Sequence, residues 1–412
     1  MPRTLHGYRR REMLAIVCLG LTGLLVVSAY LPPVVYLLWM VRFFARELSL
    51  FACLLSALAL VLLAKAPPSG SLVKRGRVLA VAALLLVLGA LPLAATLPLF
   101  NRQRSWFSIG QYVGFSAGRS AAARIVEEHD VVLASDRPEL LVDVYRPAAA
   151  SDRHGAGAAV VVIHGGSFQR GDKGDVPEVS QALAESGYAV FDLRYRLAPQ
   201  HPFPAALQDI LCIVGRLAEP SAQKRYGVDA RRIALLGRSA GGTLALSAAY
   251  AAAVTQHPAK PGALAPALRA GCAVVDVAPA AVVAIYPWTN LNEAYESPPR
   301  LDPLDTPQVM RAYLGGPASQ LAGPYRHASP VSYVTLGSPL PPTLLIHGRA
   351  DTLVPPQQST SLEKALTDAG YPVTHLAIPF AEHGFDHRAG GVAEQITRAT
   401  ILSFLGDALV AK

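Results

Sequence analysis

RRIALLGRSAGGTLALSAAY, residues 231–250, passes from an aliphatic stretch to a helix-forming one through GRSAG, with no loop between them. The run Ile233 to Leu236 reads as a buried strand, and the alanine- and leucine-rich run after Gly242 reads as a helix. A serine at so sharp a strand-to-helix turn is pushed out of the strand's path. Gly237 and Gly241 supply the small neighbours that let the backbone close this tightly around Ser239. The turn also sets Ser239 at a helix N-terminus, where free amides favour developing negative charge. A glycine-rich turn without any chemistry would look the same in isolation, so the rest of the chain has to decide.

Three more strings lie at the ends of strand-like runs. HGGSF (residues 164–168) follows AAVVVI, DTLVP (351–355) follows PTLLIHG, and EHGF (382–385) follows the last such run. Consecutive glycines let backbone N–H groups face a cavity with no side chain in the way, so Gly165 and Gly166, with Ala240, are the expected oxyanion donors. His164 is expected to anchor that loop and not to move protons. Asp351 and His383 complete the order serine, acid, histidine, with His383 as the base toward Ser239 and Asp351 fixing its tautomer. His387, Asp386 and His347 stand close enough in sequence to compete for the last two roles.

Eight strand-like runs alternate with helix-like ones between about His129 and the C-terminus. Several are continuously aliphatic, such as AAVVVIH and AAVVAIY, as strands of a parallel sheet covered on both faces require. The expectation is one α/β domain over residues 105–412, an eight-stranded mostly parallel sheet flanked by helices. The Pro/Gly/Ala-rich stretches His257 to Ala270 and Asn290 to Pro341 interrupt the alternation, and residues 290–341 are the better placed to cap the site.

The first hundred residues differ in kind. The 412-residue chain is 52% hydrophobic and only 16% charged, too apolar overall for an ordinary soluble enzyme. Residues 1–104 hold twelve basic and two acidic residues against a net +8 for the whole chain, so the remainder carries about −2. The basic balance therefore belongs to the N-terminal region, and no basic, aromatic-studded face suggests nucleic acid. Three apolar runs, Met13 to Val41 (broken by Pro32 and Pro33), Leu48 to Ala64 and Val78 to Phe100, are each expected to cross a bilayer. Arg3 with Arg9 to Arg11, and Lys65 with Lys74, Arg75 and Arg77, belong on the cytoplasmic side. About three transmembrane helices in residues 1–104 then leave the second domain outside the cytoplasm. A signal peptide would account for the first run alone. Cys212 and Cys272 are expected to be buried free thiols more readily than a disulfide, and no cysteine or histidine cluster suggests a metal or other cofactor.

HGGSF and GRSAGG, with YRLAPQHPFPAALQD (residues 195–209) between them, resemble the hormone-sensitive-lipase-like branch of the α/β-hydrolases, from about His129 onward. That resemblance implies a serine carboxylesterase or lipase, with Ser239, Asp351 and His383 as triad and Gly165, Gly166 and Ala240 as oxyanion hole. Three positions depart from the branch: Arg238 stands where an acidic residue is usual, Ser167 replaces a third loop glycine, and DTLVP is more like carboxylesterases and prolyl-peptidase relatives. A peptidase, a methylesterase of the isoprenylcysteine type and a catalytically silent receptor are the alternatives, the second disfavoured by a site outside the cytoplasm. The expected partners are an ester, small or lipid, and the bilayer itself.

Overall fold

Short aliphatic runs become strands where helices cover both faces, as at the centre of this sheet, and among the described residues eight strands form, those at its two edges being only partly covered. In chain order they are β1 (Ile125–Val132), β2 (Leu141–Pro147), β3 (Ala159–Ile163), β4 (Ala189–Leu193), β5 (Ile233–Arg238), β6 (Ala281–Ile285), β7 (Thr343–Gly348) and β8 (Val373–Ile378). They form one sheet in the order β1-β2-β4-β3-β5-β6-β7-β8. The β2 strand is antiparallel to both neighbours, and every pair from β4 across to β8 is parallel. The eight expected runs are thus all present, with β1 starting four residues before His129. The computed structural model describes residues 2–30, 32–65, 72–103, 105–112, 125–148, 157–255, 272, 277–334 and 339–410, with side chains only from residue 11 in the first helix and residue 76 in the fourth. The stretch His257 to Ala270 lies outside the described residues, as do residues 113–124 of the junction and the side chains of Arg3, Arg9, Arg10, Lys74 and Arg75.

Alternation along each central strand feeds two cores. Val161, Ile163 and Leu235 pack with the helices Ala205–Leu217 and Ala240–Thr255, while Val160, Val162 and Leu236 pack with Pro177–Glu185 and Val392–Ala408. All five residues of β3 and all six of β5 are buried, so the turns at their carboxyl ends are held by strands with apolar contacts on both sides. Burial of such a side chain contributes about 1.5–3 kcal/mol, which fixes where those turns end.

The N-terminal region departs from expectation. Its helices are α1 (Pro2–Tyr30), α2 (Tyr36–Glu47), α3 (Ser49–Ala64) and α4 (Leu72–Arg102). The run Met13 to Val41 is not one kinked span: α1 stops at Tyr30, the chain turns at Pro32 and Pro33, and α2 sets off separately. Among the described residues two helices are long and apolar enough to cross a membrane, Arg11–Tyr30 and Gly76–Arg102. The pair α2 and α3 reaches that length together but is bent by 59°. Neighbouring helices of the set α1, α3, α4 run antiparallel. Ala15 and Cys18 of α1 pack against Ala59 of α3, and α4 crosses α3 so closely that a Cβ on Gly89 would lie 2.9 Å from the Cys53 nitrogen. Arg11, Lys65 and Arg77 therefore sit at one end of this bundle and Arg46, whose Nη1 donates to the Phe380 carbonyl at 3.1 Å, at the other.

The cysteine expectation is overturned. Cys212, on the helix Ala205–Leu217, is disulfide-bonded to Cys272 with a Cα–Cα distance of 5.7 Å, inside the range a disulfide needs. The chain after Thr255 returns to that helix before entering β6, a return that sequence spacing does not display. Cys18 and Cys53 are free. Alkylation of the denatured, unreduced protein is expected to modify Cys18 and Cys53 alone, and reduction to expose the other pair; mass spectrometry of the peptides checks this.

Candidate active site

Three strand ends converge. Ser239 follows β5, Asp351 follows β7 and His383 follows β8, all at the carboxyl edge of the parallel strands, where open α/β sheets present their ligand sites. Ser239 has φ +52°, the left-handed region that a side chain other than glycine rarely adopts, and its amide is held by the Ile285 carbonyl at 2.9 Å. The elbow closes on its glycines. A Cβ at Gly237 would collide with the Gly241 carbonyl, and one at Gly241 with the carbonyl oxygens of Ile163 and His164. Backbone cannot yield there as a side chain could. Gly241→Ala is therefore expected to cost at least about 1–3 kcal/mol of stability and to displace the turn; a denaturation midpoint read beside ester turnover would record both.

His383 Nε2 lies 2.9 Å from Ser239 Oγ, and His383 Nδ1 lies 2.7 Å from Asp351 Oδ2. The other Asp351 oxygen accepts from the amides of Leu353 and Val354, both at 2.9 Å. Burial alone would push this carboxyl's pKa up, but His383, His347 and their hydrogen bonds outweigh it and hold Asp351 well below the usual carboxylate range. His347 stands 3.3 Å from Asp351 Oδ2 with its other nitrogen 2.7 Å from Ser359 Oγ, so it braces the acid and does not reach the serine.

On the opposite side of Ser239 lies the HGGSF loop. Gly165 is in contact with the elbow: a Cβ there would sit 3.2 Å from the Arg238 carbonyl and 3.4 Å from Ser239 Cβ. Gly166, Ser167 and Phe168 all have positive φ, which folds the loop back over the serine. His164 holds it. Its Nδ1 donates to the Gly165 carbonyl at 2.7 Å, its ring stacks on Tyr195 at 4.2 Å, and burial pushes its pKa down, so it is neutral. Ala240 opens the helix Ala240–Thr255, so its amide belongs to the unpaired first turn. Phe168 stacks on Tyr313 at 3.9 Å, which ties the loop to residues 290–341. Those residues carry four short helices, and among the described residues only Leu304 from this stretch lines the cavity over Ser239.

That cavity has a volume of about 720 Å³, and its far wall is α2, through Trp39, Met40, Phe43 and Glu47. The helix is held in place by charge. Glu382, the residue before His383, accepts from the Thr352 amide at 2.6 Å and its hydroxyl at 2.9 Å, and its other oxygen faces Arg42 at 3.2 Å and Arg46 at 3.8 Å. Burial and Asp351 push the Glu382 carboxyl up, and the two α2 guanidiniums pull it back. One buried carboxylate thus joins the acid loop, the histidine loop and α2.

A second charge network lies beneath the serine. Arg238 is buried, and its Nε donates to Asp386 Oδ2 at 2.5 Å, while Tyr286 donates its hydroxyl to the other Asp386 oxygen and lays its ring 4.3 Å from that of His383. His387 lies 3.5 Å from Asp175 and 3.6 Å from Asp386; burial opposes its charge, but the two carboxylates prevail and raise its pKa to about 10. Asp386 and His387 are therefore committed to each other and to Arg238, away from the Ser239 hydroxyl. No group of three or more metal-ligating side chains occurs among the described residues.

A family model described as BD-FAE matches residues 142–366, the segment from β2 to the helix after Asp351. This chain belongs to the BD-FAE family. Among curated relatives of the BD-FAE chain are Esterase LipQ of Mycobacterium tuberculosis, 30% identical over 65% of this chain and 59% of its own length, and the probable carboxylic ester hydrolase LipM of the same organism, 28% identical over 62% and 56%. The chain thus spans less than two thirds of these relatives. Solved structures with the same fold include Esterase B from Lactobacillus rhamnosis (TM-score 0.57, 23% identity, 78% of this chain and 94% of that one) and esterase LipW from Mycobacterium marinum (0.54, 24%, 77% and 90%). The fold is that of the α/β-hydrolase esterases. The BD-FAE match begins after α1 to α4, so the α2 wall lies outside it. The hydropathy of the run Met13 to Val41 hides that wall, because it counts Trp39 as part of a span and assigns Arg42 and Arg46 no partner. The spacing of Arg42, Arg46 and Glu47 within an otherwise apolar run was the available signal.

Proposed function

We propose that this chain is a membrane-anchored serine carboxylesterase with residues 1–104 as anchor and 105–412 as catalytic domain. The observation that carries the reading is the hydrogen-bonded line from Ser239 through His383 to Asp351 beside a glycine loop. Ser239 Oγ attacks the ester carbonyl carbon as His383 Nε2 takes its proton. The amides of Gly165, Gly166 and Ala240 receive the oxyanion. The carbon–oxygen bond to the alcohol then breaks, and the alcohol leaves with the proton from His383. Water attacks the acyl-enzyme, gives its proton to His383, and Ser239 departs with that proton, releasing the acid. Asp351, kept ionised, stabilises the imidazolium between these transfers. The names of the relatives, esterases and ester hydrolases, favour esters over amides. Turnover of a para-nitrophenyl ester by the purified full-length protein tests the reading, and no turnover would refute it.

The catalytic domain faces away from the cytoplasm in this reading. Support comes from α1, α3 and α4 running in turn with Arg11, Lys65 and Arg77 at the end remote from the sheet, an arrangement that the preference of basic residues for the cytoplasm favours. The Cys212–Cys272 disulfide supports it independently, since such bonds persist in oxidising compartments. A reporter fused after Lys412 that is active only outside the cytoplasm is expected to be active; a reporter active only inside would reverse the orientation.

A further inference from the structure

The helix α2 presents three different faces. Arg42 and Arg46 point at Glu382, Trp39 and Phe43 wall the cavity, and Leu37, Met40, Val41 and Phe44 fall at i, i+3, i+4 and i+7, on one apolar stripe. The stripe is open: Leu37 is 69% exposed, Val41 40% and Phe44 54%. Met40 and Phe44 belong both to this stripe and to the cavity lining, as does the exposed Tyr36 beside them, so the cavity meets the surface along it. An exposed apolar strip of this length has to be covered by something. What covers it follows from its neighbours in the chain. Five residues separate the end of α1 from the start of α2, and α2 turns directly into α3, so the stripe continues the apolar surface of helices long and apolar enough to cross a membrane. Tyr30 at the end of α1 and Trp106 just past the end of α4, the latter 88% exposed, stand at the same end of the bundle, where such rings mark the boundary between headgroups and hydrocarbon.

We infer that α2 lies in the membrane interface and that the cavity over Ser239 takes its ester sideways from the leaflet, so that the substrate is a lipid ester whose acyl chain passes over Tyr36, Met40 and Phe44 while its other chains stay in the bilayer. A cavity of about 720 Å³ holds a ligand of drug size, enough for the reacting end of such a lipid and not the whole of it. The aromatic and methionine side chains of α2 suit a flexible acyl chain, since they offer apolar contact without fixed hydrogen-bond geometry. The inference rests on the esterase reading of the same site, and adds to it the route and the physical state of the substrate.

The test compares two esters with the full-length protein reconstituted in vesicles of ether-linked phosphatidylcholine, which contain no carboxylic ester of their own. One substrate is dioleoylglycerol doped into the vesicles; the other is para-nitrophenyl acetate in the surrounding water. Leu37→Glu/Val41→Glu alters the outer stripe at positions that neither line the cavity nor touch the triad. Charges there are costly at the lipid boundary. Hydrolysis of dioleoylglycerol is expected to fall at least about ten-fold while para-nitrophenyl acetate turnover stays within about two-fold of the wild type. The milder Leu37→Gln/Val41→Gln is expected to fall between the two and guards against a variant that misfolds. Equal rates on dioleoylglycerol for wild type and both variants, or a wild type that cleaves the acetate and not the diacylglycerol, would overturn the inference. A parallel loss on both substrates in the glutamine variant would overturn it as well, by making the stripe a structural support. A wild type inert toward both esters would instead remove the esterase reading itself.

Discussion

Ser239→Ala is expected to lower kcat for a para-nitrophenyl ester by about 10⁵–10⁶-fold and to leave the fold intact. Losses of that size follow removal of a triad serine because the other members act only through it. The substituted side chain is small and buried, and the hydrogen bonds that define the elbow, from the Ser239 amide to Ile285 and from Thr243 to the Ser239 carbonyl, are made by backbone. Thermal denaturation should therefore change little while the acyl-enzyme burst disappears. Residual turnover above the uncatalysed rate would come from the oxyanion amides and from binding alone. A phosphonate that labels the wild type should not label the variant. Retention of more than a hundredth of the activity would mean that another group supplies the nucleophile.

Asp386→Ala carries the largest expected effect on stability. It leaves the guanidinium of Arg238 buried without its carboxylate, and stranding a buried charge costs about 3–5 kcal/mol. Arg238 immediately precedes the nucleophile and Tyr286 lies against His383, so activity should fall along with stability. Replacing both members, Arg238→Leu with Asp386→Leu, should recover much of the lost stability, because a buried pair exchanged for apolar side chains of similar size is often near neutral. Chemical denaturation of the wild type, Arg238→Leu, Asp386→Leu and the double variant in one detergent separates the coupling from the single losses. The pH dependence has a definite sign. Burial works against the Asp386 anion, but Arg238, His387 and Tyr286 outweigh it and depress its pKa below the ordinary carboxylate value. Its contribution to stability is therefore complete above the unfolded-state value of about 3.9 and is lost only as acidification proceeds through the lower folded value.

What could be read from the sequence was whatever neighbouring residues dictate. The runs AVVVI and IALLG are strands because both of their faces meet helices, and Ser239, Asp351 and His383 are found from the strings that surround them, since each string closes a turn at a strand end. What could not be read depends on partners distant in the chain. Cys212 and Cys272 are 60 residues apart and Arg238 and Asp386 148 apart, and no local pattern announces either pairing. The helix α2 was obscured for a different reason. Hydropathy scores the transfer of a side chain out of water and does not distinguish a bilayer from a substrate cavity, so Trp39 falls within the apolar run Met13 to Val41 and Phe43 just beyond it, with nothing local to mark either as facing a cavity.

The bridge that Glu382 makes to Arg42 and Arg46 bears on how this protein would be prepared. A fragment beginning near residue 105 would keep Ser239, Asp351 and His383 and the whole sheet, and would be the natural choice for expression. It would also leave a buried carboxylate beside His383 with neither of its guanidinium neighbours, and a cavity with one side missing. Such a fragment would present a different site. Rates measured on it would describe a site rebuilt by solvent, and a chain that keeps residues 1–104 is the smallest unit in which the site described above is whole.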